Sequence, residues 1–169
     1  FFSLPEDLQQ EYARIASDLA LNRYPDPLAT QLCQAFADYY QVPVGNVTAG
    51  NGSDELISII CNSFLEKGDH FLTLEPEFSM YRFYGSLSEG VPVTLQKPEN
   101  LQIDVDEVIR VCREQDIKLL IFSNPCNPTS LGLGREEVRR LISSVEALVV
   151  LDEAYMDFWD QSLLPEFQD

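Results

Sequence analysis

Apolar residues recur along this chain with two different periods, and the change of period divides it. Near the start, Leu8, Tyr12, Ile15 and Leu19 stand three or four positions apart. That is the spacing of one helix face, so a helix is expected over about 5–21. Asn22-Arg23-Tyr24-Pro25-Asp26-Pro27 interrupts it, because a proline disfavours helical backbone in the residue before it. A second helix is expected from about Leu28 to Tyr40, with Leu32, Ala35, Phe36 and Tyr39 on one side and Pro43 beyond its end. Beyond this point helical stretches alternate with short apolar runs.

Val47-Thr48-Ala49 is a short piece leading into Gly50-Asn51-Gly52-Ser53, and a helix is expected over about 54–65 with Leu56, Ile60 and Phe64 in register. Gly68 lies just past its end, as helix stops often do. Phe71-Leu72-Thr73-Leu74 reads as a strand, and so does Val91-Pro92-Val93-Thr94-Leu95, whose proline assigns it to a sheet edge. Helices are expected over about 105–113 and 135–145. Leu119-Leu120-Ile121-Phe122 and Leu148-Val149-Val150-Leu151 are continuous apolar runs, the mark of strands covered on both faces. The pattern therefore predicts a three-layer α/β/α fold with a mostly parallel sheet. Ligands in such sheets gather beyond the carboxyl ends of the strands.

Composition narrows the function. The 169 residues are 45% apolar, enough for a core without disulfides or metals. With 28 acidic against 11 basic residues, the formal charge of −17 argues against nucleic acid, which needs a basic stripe to neutralise its phosphates, and disfavours anionic membranes. No apolar run reaches the length of a membrane span, and no secretory signal is present. Cys33, Cys61, Cys112 and Cys126 form no C-x-x-C pair, and the lone His70 cannot complete a metal site. Reduced thiols in the cytoplasm are the simplest account. The start at Phe1-Phe2, without Met, suggests residues missing upstream.

Three segments carry candidate chemistry. Gly50-Asn51-Gly52-Ser53-Asp54-Glu55 opens a helix, where free N–H groups and the helix dipole attract phosphate; taken alone, an ordinary capped turn is the commoner explanation. Ser123-Asn124-Pro125-Cys126-Asn127-Pro128-Thr129 follows an apolar strand, so Asn127 either presents an amide to a ligand or belongs to a rigid turn. Asp152-Glu153-Ala154-Tyr155 follows another strand, where Asp152 either meets a cation or caps the next helix.

Four motifs, Asn-Arg-Tyr-Pro (22–25), Gly-Ser-Asp-Glu (52–55), Asn-Pro-Cys-Asn-Pro-Thr (124–129) and Asp-Glu-Ala-Tyr (152–155), occur in this order. Together they resemble the fold-type-I pyridoxal-phosphate aminotransferases, nearest to the histidinol-phosphate aminotransferases and to threonine-phosphate decarboxylase, over nearly the whole chain. The resemblance implies the large cofactor domain of such an enzyme, incomplete, binding pyridoxal 5'-phosphate. Residues 1–41 would be an N-terminal helical and dimer-contact segment, and 42–169 a partial cofactor-binding domain. Gly52, Ser53 and Asp54 would hold the cofactor phosphate, and Phe78 would stack on the pyridine ring. Asn127 and Tyr155 would donate to the ring hydroxyl oxygen, and Asp152 would pair with the pyridine nitrogen. Tyr24 would cross to the partner's phosphate in a homodimer. The reaction implied is amino transfer between a phosphorylated amine, such as histidinol phosphate, and the 2-oxo acid 2-oxoglutarate.

Two departures stand out. The family's Asn-Asn-Pro-Thr-Gly is here Cys126-Asn127-Pro128-Thr129-Ser130, with Gly132 and Gly134 nearby to compensate. The Schiff-base lysine is not matched, because Lys67, Lys97 and Lys118 lie outside the family's Ser-Lys context. A non-catalytic binding domain and a threonine-phosphate decarboxylase are thus the rival readings. Nothing in the neighbourhood of Cys126 argues for a reactive thiol, and Phe158 and Trp159 read as packing residues.

Overall fold

In the computed structural model, which describes residues 3–166, six α-helices and four β-strands succeed one another. The aromatic pair at the start lies outside the described residues. The two N-terminal helices are α1 (Glu6–Asp18) and α2 (Thr30–Tyr40). Then come α3 (Gly52–Phe64), β1 (His70–Glu75), α4 (Met80–Leu87) and β2 (Val91–Gln96). The chain continues through α5 (Val105–Glu114), β3 (Ile117–Ser123), α6 (Arg135–Ser144) and β4 (Leu148–Asp152). Val47-Thr48-Ala49 joins no strand.

The sheet is wholly parallel, in the order β2-β1-β3-β4. β2 therefore lies at an edge, as Pro92 requires, since it has no N–H to give a second neighbour. Alternation along the strands splits the core into two layers. Leu72, Leu74, Leu120 and Phe122 face α5 and α6, packing with Val108, Cys112, Val138 and Leu141. Phe71, Leu119 and Ile121 face the other way, onto Ile57 and Cys61 of α3 and Tyr81 of α4. Helices thus cover both faces of the sheet, the layered arrangement that the apolar runs predict. β3, between two strands, is almost entirely buried, whereas β4 at the other edge of the described sheet is only half-buried.

The helix faces differ from expectation in an informative way. In α2 the buried residues are Cys33 and Ala37, while Leu32, Phe36 and Tyr39 are exposed. In α3 they are Ile57 and Cys61, each one position past Leu56 and Ile60, and Phe64 is exposed. A one-residue offset turns a helix by about 100°. Spacing reveals that a stripe exists, but tertiary contact selects the residues within it that face the core. In α1 no residue is buried, so Leu8, Tyr12, Ile15 and Leu19 form a helix face open to solvent among the described residues.

The apolar pattern does not predict α4. It is only eight residues long and holds Gly85, a poor helix former. The glycine is required by packing: a Cβ there would stand 2.5 Å from the Phe71 ring. α4 approaches β1 closely because its second turn has no side chain on that face.

Candidate active site at the carboxyl ends of the strands

The chain leaves β1 for β2 on one side and then returns to build β3 and β4 on the other side of β1. Strand order reverses there, and loops leaving neighbouring strands diverge to open a crevice. A cleft of roughly 320 Å³ occupies this place. Its wall includes Gly52, Ser53 and Asp54 from the start of α3, Phe78 after β1, Asn127 after β3, and Asp152 and Tyr155 at and after β4. Seven of the eight residues singled out from sequence thus converge on one cleft. The eighth, Tyr24, does not line it and is fully exposed.

Each wall has a local cause. At α3, Gly52 takes a φ of +80°, a left-handed conformation that favours glycine, and turns the chain into the helix. No side chain caps α3, so its first turn keeps unsatisfied N–H donors beside Ser53 and Asp54. Such a helix start has the chemistry that favours an anion.

The Asn124–Thr129 segment is shaped from below. The Asn124 side chain is buried, accepting from Leu133 N–H at 2.7 Å and donating to the Leu133 carbonyl at 3.2 Å. Ser123 Oγ accepts the Asn127 N–H at 3.1 Å, which fixes the backbone from which the Asn127 amide projects. The position of the family's glycine is held by Ser130 at φ 61°, a left-handed serine, while Gly132 contributes by leaving room for Asn124, whose Oδ1 would stand 2.8 Å from a Cβ there. Ser130 N–H donates to the Cys126 carbonyl at 2.7 Å to close it.

Asp152 is the last residue of β4, paired in register with Ser123. One carboxylate oxygen accepts the Ala154 N–H at 2.9 Å, and the other accepts the Tyr81 hydroxyl at 2.7 Å. The acid therefore ends a strand rather than capping an α-helix, in a fixed orientation toward the cleft. Burial and the neighbouring Asp152 charge push the Tyr81 phenol far above its ordinary range, so it remains a donor. Tyr81 also meets Phe78 edge-on, with ring centroids 5.5 Å apart, which steadies the Phe78 ring at the cleft wall. Sequence reasoning missed Tyr81, whose phenol reaches Asp152 from 71 residues away.

A second polar group lies behind the cleft and was not anticipated. Glu77 is buried, takes a hydrogen bond from Ser123 Oγ, and faces Lys97 Nζ at 3.4 Å. Burial raises the Glu77 carboxyl above its usual range, while Ser123 and Lys97 act against it. The Trp159 ring lies against Gly132, 3.2 Å from where a Cβ would stand, and lines a neighbouring cleft with Cys126 and Asn127, whereas Phe158 stands exposed. No group of potential metal-binding side chains occurs among the described residues, and no described helix is long and apolar enough to cross a membrane.

A parallel sheet between helices, with a ligand-sized cleft where strand order reverses, defines a ligand-binding α/β domain of the doubly wound kind. The chain belongs to the family described as aminotransferase class I and II, which it matches over residues 2–168. It is 38% identical over 164 residues to a histidinol-phosphate aminotransferase of Clostridium novyi (strain NT), covering 97% of this chain and 46% of the relative. A histidinol-phosphate aminotransferase of Clostridium kluyveri is 36% identical, with 97% and 47% covered. The chain therefore spans about half the length of the curated relatives it matches. Among solved structures, histidinol-phosphate aminotransferase from Sinorhizobium meliloti in complex with pyridoxal-5'-phosphate superposes with a TM-score of 0.84. That match is at 23% identity, over 92% of this chain and 42% of that one. Its fold is the one found here.

Proposed function

We propose that this chain is the cofactor platform of a pyridoxal-phosphate-dependent aminotransferase that moves an amino group between histidinol phosphate and 2-oxoglutarate. The observation that carries the reading is the convergence of Gly52, Ser53, Asp54, Phe78, Asn127, Asp152 and Tyr155 on one cleft. The names of the curated relatives support the substrate.

The residues present fit pyridoxal phosphate on chemical grounds. An uncapped helix start suits a phosphate dianion. An aromatic wall suits a flat ring, and a carboxylate held by two donors suits a protonated pyridine nitrogen. The Asn127 amide and the Tyr155 hydroxyl make no hydrogen bond to other described residues, so both remain available to a phenolic oxygen. When bound, the cofactor would supply an electron sink for the substrate carbanion. Asp152 would keep the nitrogen proton in place, Phe78 would orient the ring, and the α3 N–H groups would anchor the phosphate.

The chain has three lysines, and neither Lys67, Lys97 nor Lys118 lines the cleft. The amine that carries and moves the substrate proton would come from the part of the relatives' length that this chain does not match. Tyr24 and the open face of α1 would meet a second copy in a homodimer, with Tyr24 reaching the partner's phosphate site. Residues 1–41 would then form the dimer-contact segment and the rest the cofactor domain. Four free cysteines suit a cytoplasmic setting.

The test is made on the intact protein with pyridoxal phosphate. Formation of glutamate from 2-oxoglutarate in the presence of histidinol phosphate is the expected result. Release of CO₂ from threonine phosphate would favour the decarboxylase instead, and failure to bind the cofactor at all would favour a non-catalytic domain.

A further inference from the structure

Behind the cleft, the Lys97 ammonium lies 3.1 Å from the Cys126 sulfur. The two residues come from different places: Lys97 follows β2, and Cys126 follows β3. Both are withdrawn from solvent, the Lys97 side chain 2% exposed and the Cys126 residue 4%. Cys126 Sγ also faces Glu77 Oε1 at 3.5 Å, so the carboxylate touches both partners. The Pro76 carbonyl accepts from Lys97 at 2.9 Å and holds the amine in place. Lys97 and Cys126 together line a small cleft of roughly 100 Å³, room enough for a molecule the size of a peroxide.

We propose that Lys97 and Cys126 form a redox-dependent covalent link, a sulfenamide, when the protein meets a peroxide. The Cys126 sulfur attacks one peroxide oxygen; an S–O bond forms, the O–O bond breaks, and the departing hydroxide takes the thiol proton and leaves as water. Sulfur is oxidised by two electrons, the peroxide is reduced by the same two, and a sulfenic acid results. Lys97 passes one proton to Glu77, and the freed amine attacks the same sulfur. The N–S bond forms as the S–O bond breaks, and the departing hydroxide takes a second amine proton away as water. Nitrogen nucleophiles are known to condense with sulfenic acids in this way.

Glu77 makes the second step possible without stranding a buried charge. Linking consumes the Lys97 cation, which would leave a lone carboxylate in the interior. A carboxyl already raised by burial keeps the transferred proton, so an ion pair becomes a neutral pair. The other three cysteines are also buried. Burial pushes the Cys61 and Cys112 thiols up to about 11, which keeps them protonated at neutral pH. Cys33 bonds to the Leu28 carbonyl instead of a lysine.

The experiment treats the intact, folded protein with hydrogen peroxide, digests it without reductant, and maps the peptides by mass spectrometry. The expected product joins the Lys97 and Cys126 peptides, lighter than their sum by two hydrogens, and dithiothreitol separates it. Lys97→Arg keeps the charge but is expected to yield only oxygenated Cys126. Two outcomes in the unsubstituted protein overturn the proposal: Cys126 in its sulfinic or sulfonic form with Lys97 unlinked, or untouched Cys126 while the methionines oxidise. Neither depends on how a variant folds, nor on whether the protein is an aminotransferase.

Discussion

The Tyr81 hydroxyl donates to Asp152 Oδ2 at 2.7 Å, joining the first turn of α4 to the end of β4 beneath the cleft. The phenol is fully buried, and a hydrogen bond to a charged acceptor is worth roughly 1.5–3 kcal/mol. Tyr81→Phe keeps the ring and removes only that donor, leaving Asp152 held by the Ala154 N–H alone. Pyridoxal phosphate is expected to bind the intact variant about tenfold more weakly, which corresponds to ~1.4 kcal/mol. Titration followed by the cofactor's absorbance checks this, and an unchanged affinity would remove Tyr81 from its role in holding Asp152.

Ser130 holds a left-handed conformation where the family has glycine. Such backbone costs a non-glycine residue roughly 1–2 kcal/mol, and glycine's greater freedom when unfolded takes back about 0.5–1 kcal/mol. Ser130→Gly is therefore expected to stabilise the protein, by up to about 1.5 kcal/mol. Urea unfolding with an unchanged slope and a higher midpoint is the predicted signature.

Gly85→Ala acts in the opposite direction. Its methyl group would meet three Phe71 ring atoms, the nearest at 2.5 Å, and Phe71 is fully buried in the layer between β1 and α4. Overpacking of this kind costs roughly 1–3 kcal/mol. A lowered melting temperature is expected; a neutral result would mean that α4 is less firmly seated on the sheet.

Glu77 gives the stability a specific pH dependence. Burial raises its carboxyl above the unfolded value of 4.5, so the native state binds that proton more tightly than the unfolded chain. Its contribution is fully present below 4.5 and is lost as pH rises through the native value. Glu77→Gln removes the titration. Stability of the original protein relative to this variant should fall as pH is raised above 4.5, and parallel curves would contradict the assignment.

The sequence alone carried the layered α/β plan and most of the cleft. Both follow from interactions close along the chain. Leu119–Phe122 is apolar without a break because it is covered on two faces, and the Asn-Pro turns and the glycine at 52 bend the backbone whatever lies around them. Six residues of the cleft lie in three of the ordered motifs, and Phe78 is named by the family resemblance alone; the fold gathers all seven at one strand-end crevice. Tertiary structure alone decided which residues of α2 and α3 face the core, because a periodic stripe leaves the helix free to turn by one residue. It also decided that α4 exists, since its glycine is explained only by Phe71 across the layer. The Tyr81–Asp152 bond and the Glu77–Lys97–Cys126 group depended on it as well. Their members are separated by 71, 20 and 29 positions, and no local pattern marks them. They meet because the order β2-β1-β3-β4 brings the ends of distant strands side by side, where low exposure makes every unpaired polar atom costly.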